Sequence, residues 1–279
     1  MNSQKRQTET YDALNAYYSR YDEEGRLLSR HGQVEYLTTM RYIHRYLTPG
    51  TRILEIGAGT GRYSLALASE GYEVTAVELI PHNLALLREK ITPEMRISTH
   101  QGNALDLSFL PEGAYDMVLV LGPMYHLYES QDKITALTEA LRLTRSGGII
   151  GIAYCMADAT VFQYCFQRDE SGSYRIHDLM RRGLVDNDFR LYSTPAELFE
   201  LIRRDDADRL LAHFAPQAER LHFIGTDMGT KYMQENIDTM DEETFRLYLA
   251  YHNTICERPD LAGASHHTLD IWKKTEDLL

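Results

Sequence analysis

A glycine-rich turn between an apolar segment and an amphipathic one constrains the fold more than any other feature of the sequence. Residues 52–56 are mostly apolar and predict a short strand, residues 57–61 read Gly-Ala-Gly-Thr-Gly, and leucines at helical spacing follow. Glycine at 57, 59 and 61 lets the backbone turn sharply and approach a ligand, while the next helix directs its free N–H groups at that ligand. The turn therefore predicts a strand, a nucleotide-like ligand and a helix, in that order.

The alternation of strands and helices continues and predicts the fold class. Further strands are expected over 73–78, 96–100, 115–121 and 149–154, with amphipathic helices over 34–47, 81–90 and around 134–141. After these, we expect a helix from Pro195 toward Leu211, a strand over 220–226, a helix over 241–256 and an edge strand over 265–273. The first five strands, separated by four helical crossovers, predict a doubly wound α/β fold with a mostly parallel sheet and helices on both faces, and the two later strands bring the sheet to seven strands.

Composition narrows the classes of function. The chain has 29 Lys and Arg against 41 Asp and Glu, a net charge of -12, and its Arg pairs at 181–182 and 203–204 lie among acids, which disfavours a nucleic-acid partner. Cys155, Cys165 and Cys256 have no C-x-x-C spacing, and no histidine completes a metal-ligand pattern, so we predict no metal. No apolar run approaches the ~20 residues that span a bilayer, and we expect a cytoplasmic protein without a membrane partner.

The acid after the second strand completes the ligand prediction. Glu78 follows Gly61 by 17 residues, at the end of a predicted strand, where a carboxylate can accept hydrogen bonds from both hydroxyls of a ribose. A dinucleotide fingerprint needs a third glycine where this chain has Arg62. The spacing therefore favours a nucleoside ligand other than a nicotinamide dinucleotide.

Residues 54–61, Leu-Glu-Ile-Gly-Ala-Gly-Thr-Gly, resemble the first motif of the class I S-adenosylmethionine-dependent methyltransferases. Gly102-Asn103-Ala104 is similar to the family's turn at the adenine, with Asn103 in place of the usual aspartate. Residues 122–127, Gly-Pro-Met-Tyr-His-Leu, are similar to a segment of many bacterial small-molecule methyltransferases, and residues 141–148 resemble their helix and turn before the fifth strand. The resemblance implies S-adenosyl-L-methionine as cofactor, bound by Glu55, Gly57, Ala58, Gly59, Gly61, Glu78, Leu79, Asn103, Ala104 and Leu121.

The resemblance also suggests how the chain is organised. We divide it into an N-terminal helical cap (1–50), a cofactor-binding core (51–156), a lid or insertion (157–193), and the remainder of the core with a helical insertion before the last strand (194–279). The insertion is rich in Tyr, Arg and Asp and has no clean period, as is typical of substrate-facing segments.

Two neighbouring side chains are the candidates for catalysis. His126 follows the fourth strand and is expected either to act as a general base or to shape the pocket through a hydrogen bond. Tyr125 is expected to orient an amine or to attract the sulfonium by a cation–π contact. Tyr18 and Tyr21 are candidates for the wall of an acceptor pocket, although their helical spacing also fits plain packing. The expected acceptor is a small molecule with an oxygen or nitrogen nucleophile.

Other functions remain open. Asn103 in place of aspartate fits a protein that binds S-adenosylmethionine without catalysis. The glycine turn with Glu78 also fits a nicotinamide-dependent oxidoreductase, which Arg62 opposes, and methylation of RNA is opposed by the acidic charge. Arsenite methylation would need the three cysteines to converge.

Overall fold

The computed structural model describes residues 3–21, 25 and 27–275. Its strands are β1 (Arg52–Ile56), β2 (Glu73–Glu78), β3 (Ile97–Gln101), β4 (Tyr115–Val120), β5 (Thr144–Met156), β6 (Leu201–Ile202), β7 (Ala218–Gly225) and β8 (His267–Lys274). Its helices are α1 (Ser3–Tyr18), α2 (Arg30–His44), α3 (Arg62–Ser69), α4 (Pro81–Glu89), α5 (Ser130–Leu143), α6 (Ala157–Thr160), α7 (Arg175–Arg181), α8 (Arg204–His213), α9 (Gln234–Asp238) and α10 (Glu242–Ile255).

These strands form one mixed sheet, in the order β3-β2-β1-β4-β5-β8-β7, with the short β6 paired to the end of β5. Neighbouring strands among β1 to β5 are parallel, and β8 runs antiparallel to both β5 and β7. The expected α/β class with a mostly parallel sheet is confirmed. We expected seven strands, and the short β6 is an eighth. We also expected the last strand, β8, at an edge of the sheet, but β7 pairs with it and forms the edge instead.

Burial explains the inner position of β8. Leu269, Asp270, Ile271 and Trp272 are all buried, so β8 has neighbours on both sides and on both faces. Arg220 of β7 donates to both carboxylate oxygens of Asp270 at 2.7 Å, which lets this acid lie inside the protein.

Two of the expected helical segments differ. The connection between β3 and β4, residues 102–114, has no helix among the described residues, so α3, α4 and α5 are three crossovers rather than four. The helix expected from Pro195 begins at Arg204 instead. Thr194 and Glu197 do hydrogen-bond to each other, but they close a local turn, and Leu198 then adopts a positive φ of 71°.

The sheet places its ligand-binding edge between β1 and β4. The chain leaves β1 toward β2 on one side and β4 toward β5 on the other, so the connections diverge at the carboxyl ends of these two strands. Such a divergence leaves a crevice, which is where open α/β sheets bind ligands. In the described part of the chain, no helix is both long and apolar enough to cross a bilayer.

Candidate active site

The glycine turn after β1 is held against the neighbouring strand ends. The N–H groups of Gly57 and Ala58 both donate to the carbonyl of Val77, at 2.8 and 3.0 Å. Gly57 has a φ of +77°, and a Cβ there would lie 2.6 Å from Cδ of Pro123, so both conformation and packing require glycine. Gly59 has a φ of +55°, and a Cβ there would meet no atom within 4 Å. The turn is therefore tight at its base and open where a ligand can approach.

Glu78 closes this turn from the end of β2. Its Oε2 accepts from the N–H of Gly59 and its Oε1 from the N–H of Ile80, both at 2.8 Å, and only 5% of the residue is exposed. Burial raises the pKa of Glu78, while these backbone donors act in the opposite direction. Each carboxylate oxygen retains acceptor capacity, so Glu78 can still accept from the two hydroxyls of a ribose.

A second buried carboxyl lies beside the first. Glu55 of β1 accepts a hydrogen bond from the hydroxyl of Ser64 in α3. Burial raises the pKa of Glu55 to about 8, and the charge of Glu78 acts in the same direction. Glu55 is therefore mostly protonated at neutral pH, and a ligand that carries positive charge would favour its ionised form.

A first cavity of about 180 Å³ lies over these groups. Gly61, an expected cofactor residue, does not line it: Gly61 caps α3 with a φ of +90°, and a Cβ there would lie 2.7 Å from Leu87. In Asn103, Oδ1 accepts from the N–H of Leu105 at 3.1 Å. The expected residues that do line this cavity are Glu55, Gly57, Ala58, Gly59, Glu78, Leu79, Asn103, Ala104, Leu121, Tyr125, His126 and Tyr18.

The cavity has lining groups that sequence reasoning missed. Helix α1 contributes Tyr11 and Leu14 in addition to Tyr18. Arg62 also lines it; its guanidinium carbon lies 4.3 Å from the ring centroid of Tyr36, and its buried Nε has no hydrogen-bond partner among the described residues. In the sequence, Arg62 was informative only as a missing glycine, because no spacing rule relates it to a ligand.

His126 has hydrogen-bond partners on both ring nitrogens. Nδ1 lies 2.9 Å from the carbonyl oxygen of Leu198, which can only accept, so Nδ1 carries the proton. Nε2 then accepts from the hydroxyl of Tyr18, also at 2.9 Å. Burial lowers the pKa of His126 to about 4, so the ring is neutral at pH 7. The neighbouring Tyr125 donates its hydroxyl to the carbonyl of Leu121 at 2.8 Å.

A second cavity of about 630 Å³ adjoins the first, and Tyr18 and Tyr125 line both. Tyr21 lines the second cavity only. Cys155 and Cys165 also line it, whereas Cys256 lies in a separate cluster with its Sγ 3.4 Å from the hydroxyl of Tyr42. The three cysteines therefore do not converge.

His267, which lines the second cavity, forms a cluster with the carboxylates of Asp227 and Glu35. Nδ1 of His267 is 2.8 Å from a carboxylate oxygen of Asp227 and 3.2 Å from one of Glu35. Burial acts to lower the pKa of His267, but these carboxylates outweigh it and raise the pKa to about 10. The distances and charges are those of an imidazolium held between two carboxylates. Its neighbour His266 is buried and lines the second cavity.

Comparisons with known proteins relate this geometry to a family. Residues 53–148 match the family model described as a methyltransferase domain. The 2-methyl-6-phytyl-1,4-hydroquinone methyltransferase of Synechocystis sp. is 32% identical over 108 residues, 38% of this chain and 33% of that protein. The magnesium-protoporphyrin O-methyltransferase of Rhodobacter capsulatus is 29% identical over 119 residues, 42% of this chain and 50% of that protein. The matches thus span a third to a half of these relatives.

A solved structure extends the similarity in fold to the whole chain. Phosphoethanolamine N-methyltransferase 1 of Haemonchus contortus, in complex with phosphoethanolamine and S-adenosylhomocysteine, is similar with a TM-score of 0.58 and 16% identity. The alignment covers 100% of this chain and 51% of that one. At this identity the similarity concerns the fold alone.

Proposed function

We propose, from the premise that residues 53–148 form a class I S-adenosylmethionine-dependent methyltransferase domain, that the protein methylates an oxygen or nitrogen atom of a small molecule. The observation that carries the proposal is the contact between the open turn at Gly59 and the buried carboxylate of Glu78, beneath a cavity that adjoins a second one. A cofactor in the first cavity and an acceptor in the second would meet where Tyr18 and Tyr125 line both.

The first cavity fits the polar groups of this cofactor. Glu78 would accept from the ribose hydroxyls and Asn103 would contact the adenine, as in the family's turn. The ionised form of Glu55 would face the cofactor's positive charge, and Arg62, whose Nε is unsatisfied in the described structure, would donate to the methionine carboxylate. Gly59 leaves room for the close approach of the nucleoside.

S-adenosylmethionine held by Glu78, Asn103 and Arg62 would supply an electrophilic methyl group on a sulfonium, to be transferred to a lone pair of the acceptor. The protein's part is to align the two molecules and to exclude water. Helix α1 lines the first cavity through Tyr11, Leu14 and Tyr18 and so excludes water from it. The acceptor-facing role proposed for residues 157–193 is supported by Tyr164, Leu191 and other members of this segment that line the second cavity.

For His126 we favour a positioning role over that of a general base. Both ring nitrogens have partners, and a ring with a pKa of about 4 is a weak base. The ring instead connects Tyr18 of α1 to the carbonyl of Leu198. The acceptor's proton would then pass to solvent, which suits either a free amine, whose lone pair needs no deprotonation, or a phenol, which ionises readily.

The relatives support a small-molecule acceptor, since their names specify a hydroquinone and a magnesium porphyrin. The net charge of -12 disfavours RNA. A second candidate is a protein that binds S-adenosylmethionine without catalysis. It is favoured by the engaged polar atoms of His126 and Tyr125, which leave neither group free to act as a base.

Transfer of a tritium-labelled methyl group tests the proposal. The protein is incubated with labelled S-adenosylmethionine and a cell extract, and the products are separated into small molecules, RNA and protein. We expect label in the small-molecule fraction, and none with a Glu78→Gln variant. Label in RNA would support the nucleic-acid function instead. Tight binding of S-adenosylhomocysteine without label in any fraction would support the non-catalytic candidate.

A further inference from the structure

His266 lies at one end of the second cavity, and the proposed function does not use its imidazole ring. His266 is 5% exposed, and neither ring nitrogen has a hydrogen-bond partner among the described residues. Its ring centroid lies 5.2 Å from that of Tyr232 and 6.2 Å from that of Tyr164. A buried polar group without a partner costs about 1–3 kcal/mol. A ligand that occupies the cavity could satisfy this ring.

Lys231 adds a positive charge to the same cavity. Within the described ranges, no carboxylate oxygen lies within 4 Å of its ammonium group. Lys231 and His266 line the same cavity, and burial, together with the charge of Lys231, lowers the pKa of His266 to about 4. The charges of His267 and Lys231 hold the pKa of the buried Asp227 low, and the oxygens of Asp227 already accept from Ser265 and from the backbone and ring of His267. Lys231 is therefore available to a ligand.

The acids that line this cavity are, by contrast, already occupied. Glu197 accepts from Arg182 and from Thr194, and Asp178 lies 3.6 Å from Arg182. Asp169 accepts from the N–H groups of a tight turn at 171 and 173, at 2.9 and 3.0 Å. Arg175 lines the same cavity and has no ion pair among the described residues. The lining groups left for a ligand are therefore mainly cations and hydrogen-bond donors.

The side of the cavity next to the cofactor site is aromatic. Tyr125 and Phe199 line it with ring centroids 6.1 Å apart, and Tyr17 lies 6.1 Å from Phe199 in an edge-to-face arrangement. Tyr18 completes this wall. Rings in such arrangements favour a flat, unsaturated ligand body.

We infer that the second cavity binds an aromatic carboxylate as the methyl acceptor. Its carboxylate would pair with Lys231 and accept a hydrogen bond from His266, and its ring would lie against Tyr125 and Phe199. A hydroxyl or amino substituent at the opposite end of the ring would then reach the first cavity. This inference rests on the proposed function.

Binding of simple probes to the protein saturated with S-adenosylhomocysteine tests the inference. The probes are hydroxybenzoates, aminobenzoates and hydroxycinnamates, each beside its primary amide and its benzylamine or cinnamylamine counterpart, measured by calorimetry. We expect at least one carboxylate to bind tenfold or more tightly than its amide. Lys231→Met should weaken this binding about tenfold or more, because a charge-assisted contact is lost. His266→Phe, which keeps the ring volume, should weaken it several-fold.

Lys273→Met is the matched control, because Lys273 lies on β8 and lines neither cavity. Unchanged affinity for S-adenosylhomocysteine shows that a variant is folded and that the cofactor site is intact. If the wild type binds S-adenosylhomocysteine but binds amides or amines as tightly as carboxylates, or if no carboxylate binds at millimolar concentration, the inference is wrong and the proposed function stands. If S-adenosylhomocysteine itself does not bind, the proposed function fails as well.

Discussion

The two cavities present different kinds of groups to a ligand. The first presents backbone N–H groups of a turn, two buried carboxyls in Glu55 and Glu78, and little free volume. The second is more than three times larger and presents rings, Lys231 and an unpartnered His266. Acids suit a ligand that carries a sulfonium and an ammonium, and cations suit an anion. The difference indicates one site with fixed backbone geometry and one whose selectivity depends on side chains.

Among the substitutions that test this difference, we expect the one at Glu78 to have the largest effect on cofactor affinity. The carboxylate of Glu78 accepts from two backbone N–H groups and, in the proposed function, from the ribose hydroxyls. Glu78→Gln replaces one of its two accepting oxygens by an amide group that only donates. We expect S-adenosylhomocysteine to bind about 100-fold more weakly, since hydrogen bonds to charged groups contribute ~1.5–3 kcal/mol each. Calorimetry measures this, with Glu73→Gln at the exposed start of the same strand as control. A loss below threefold would mean that Glu78 does not hold the ribose.

The raised pKa of Glu55 predicts that the free energy of unfolding depends on pH. With its pKa raised to about 8, the folded protein holds a proton between pH 4.5 and 8 that the unfolded chain lacks. The contribution of this proton to the free energy of unfolding is full below pH 4.5 and is lost as the pH rises to 8. Over that range the free energy of unfolding falls by up to about 1.4 kcal/mol per pH unit. We expect the free energy of unfolding, measured in urea without cofactor, to fall more steeply with pH in the wild type than in Glu55→Gln. Parallel curves would contradict a protonated Glu55.

A substitution at Tyr18, which lines both cavities, tests the hydrogen bond to His126 at the junction where the two cavities meet. Tyr18→Phe removes the donor to Nε2 of His126 and leaves a buried nitrogen unsatisfied. We expect a roughly fivefold weaker affinity for S-adenosylhomocysteine and a similar rise in the KM of the acceptor, because Tyr18 lines both cavities. Tyr11→Phe, on the same helix and lining only the first cavity, should change neither by more than twofold. Equal effects of the two substitutions would show that the hydrogen bond has no role at this junction.

The smallest effect is expected at Asn103. Asn103→Asp restores the family's usual residue and keeps the oxygen that accepts from the N–H of Leu105. Since this accepting oxygen is kept, we expect the affinity for S-adenosylhomocysteine to change by less than threefold. A gain of tenfold or more would mean that the asparagine weakens cofactor binding.

The side of the first cavity at the sheet edge was predictable from sequence because its groups are local, whereas Tyr11 and Leu14 of the distant α1 were missed. Strand β2 was expected over 73–78 and lies there, so Glu78 was placed at a strand end by counting from the glycine turn. Short βα connections then bring Glu55, Gly59 and Asn103 to one edge of the sheet, as the parallel topology requires.

The second cavity was predictable only in part: residues 157–193 were expected to face the substrate and many of them line it, but distant segments complete it. Thr194 and Glu197 pair as a helix start would require, yet the carbonyl of Leu198 accepts from His126 and Tyr128, which lie about 70 residues away, and the chain turns instead. Strand β6 has two residues and exists through its pairing with β5. Lys231 and His266 reach the cavity from separate parts of the C-terminal region, and no spacing relates them.

Titration of the wild-type protein with S-adenosylhomocysteine, beside an NAD titration, tests the central claim most directly. The account predicts one site of micromolar affinity for S-adenosylhomocysteine and no saturable binding of NAD. Saturable binding of NAD, or no binding of S-adenosylhomocysteine by a protein that unfolds cooperatively, would contradict the assignment of the first cavity and the proposed methyl transfer with it.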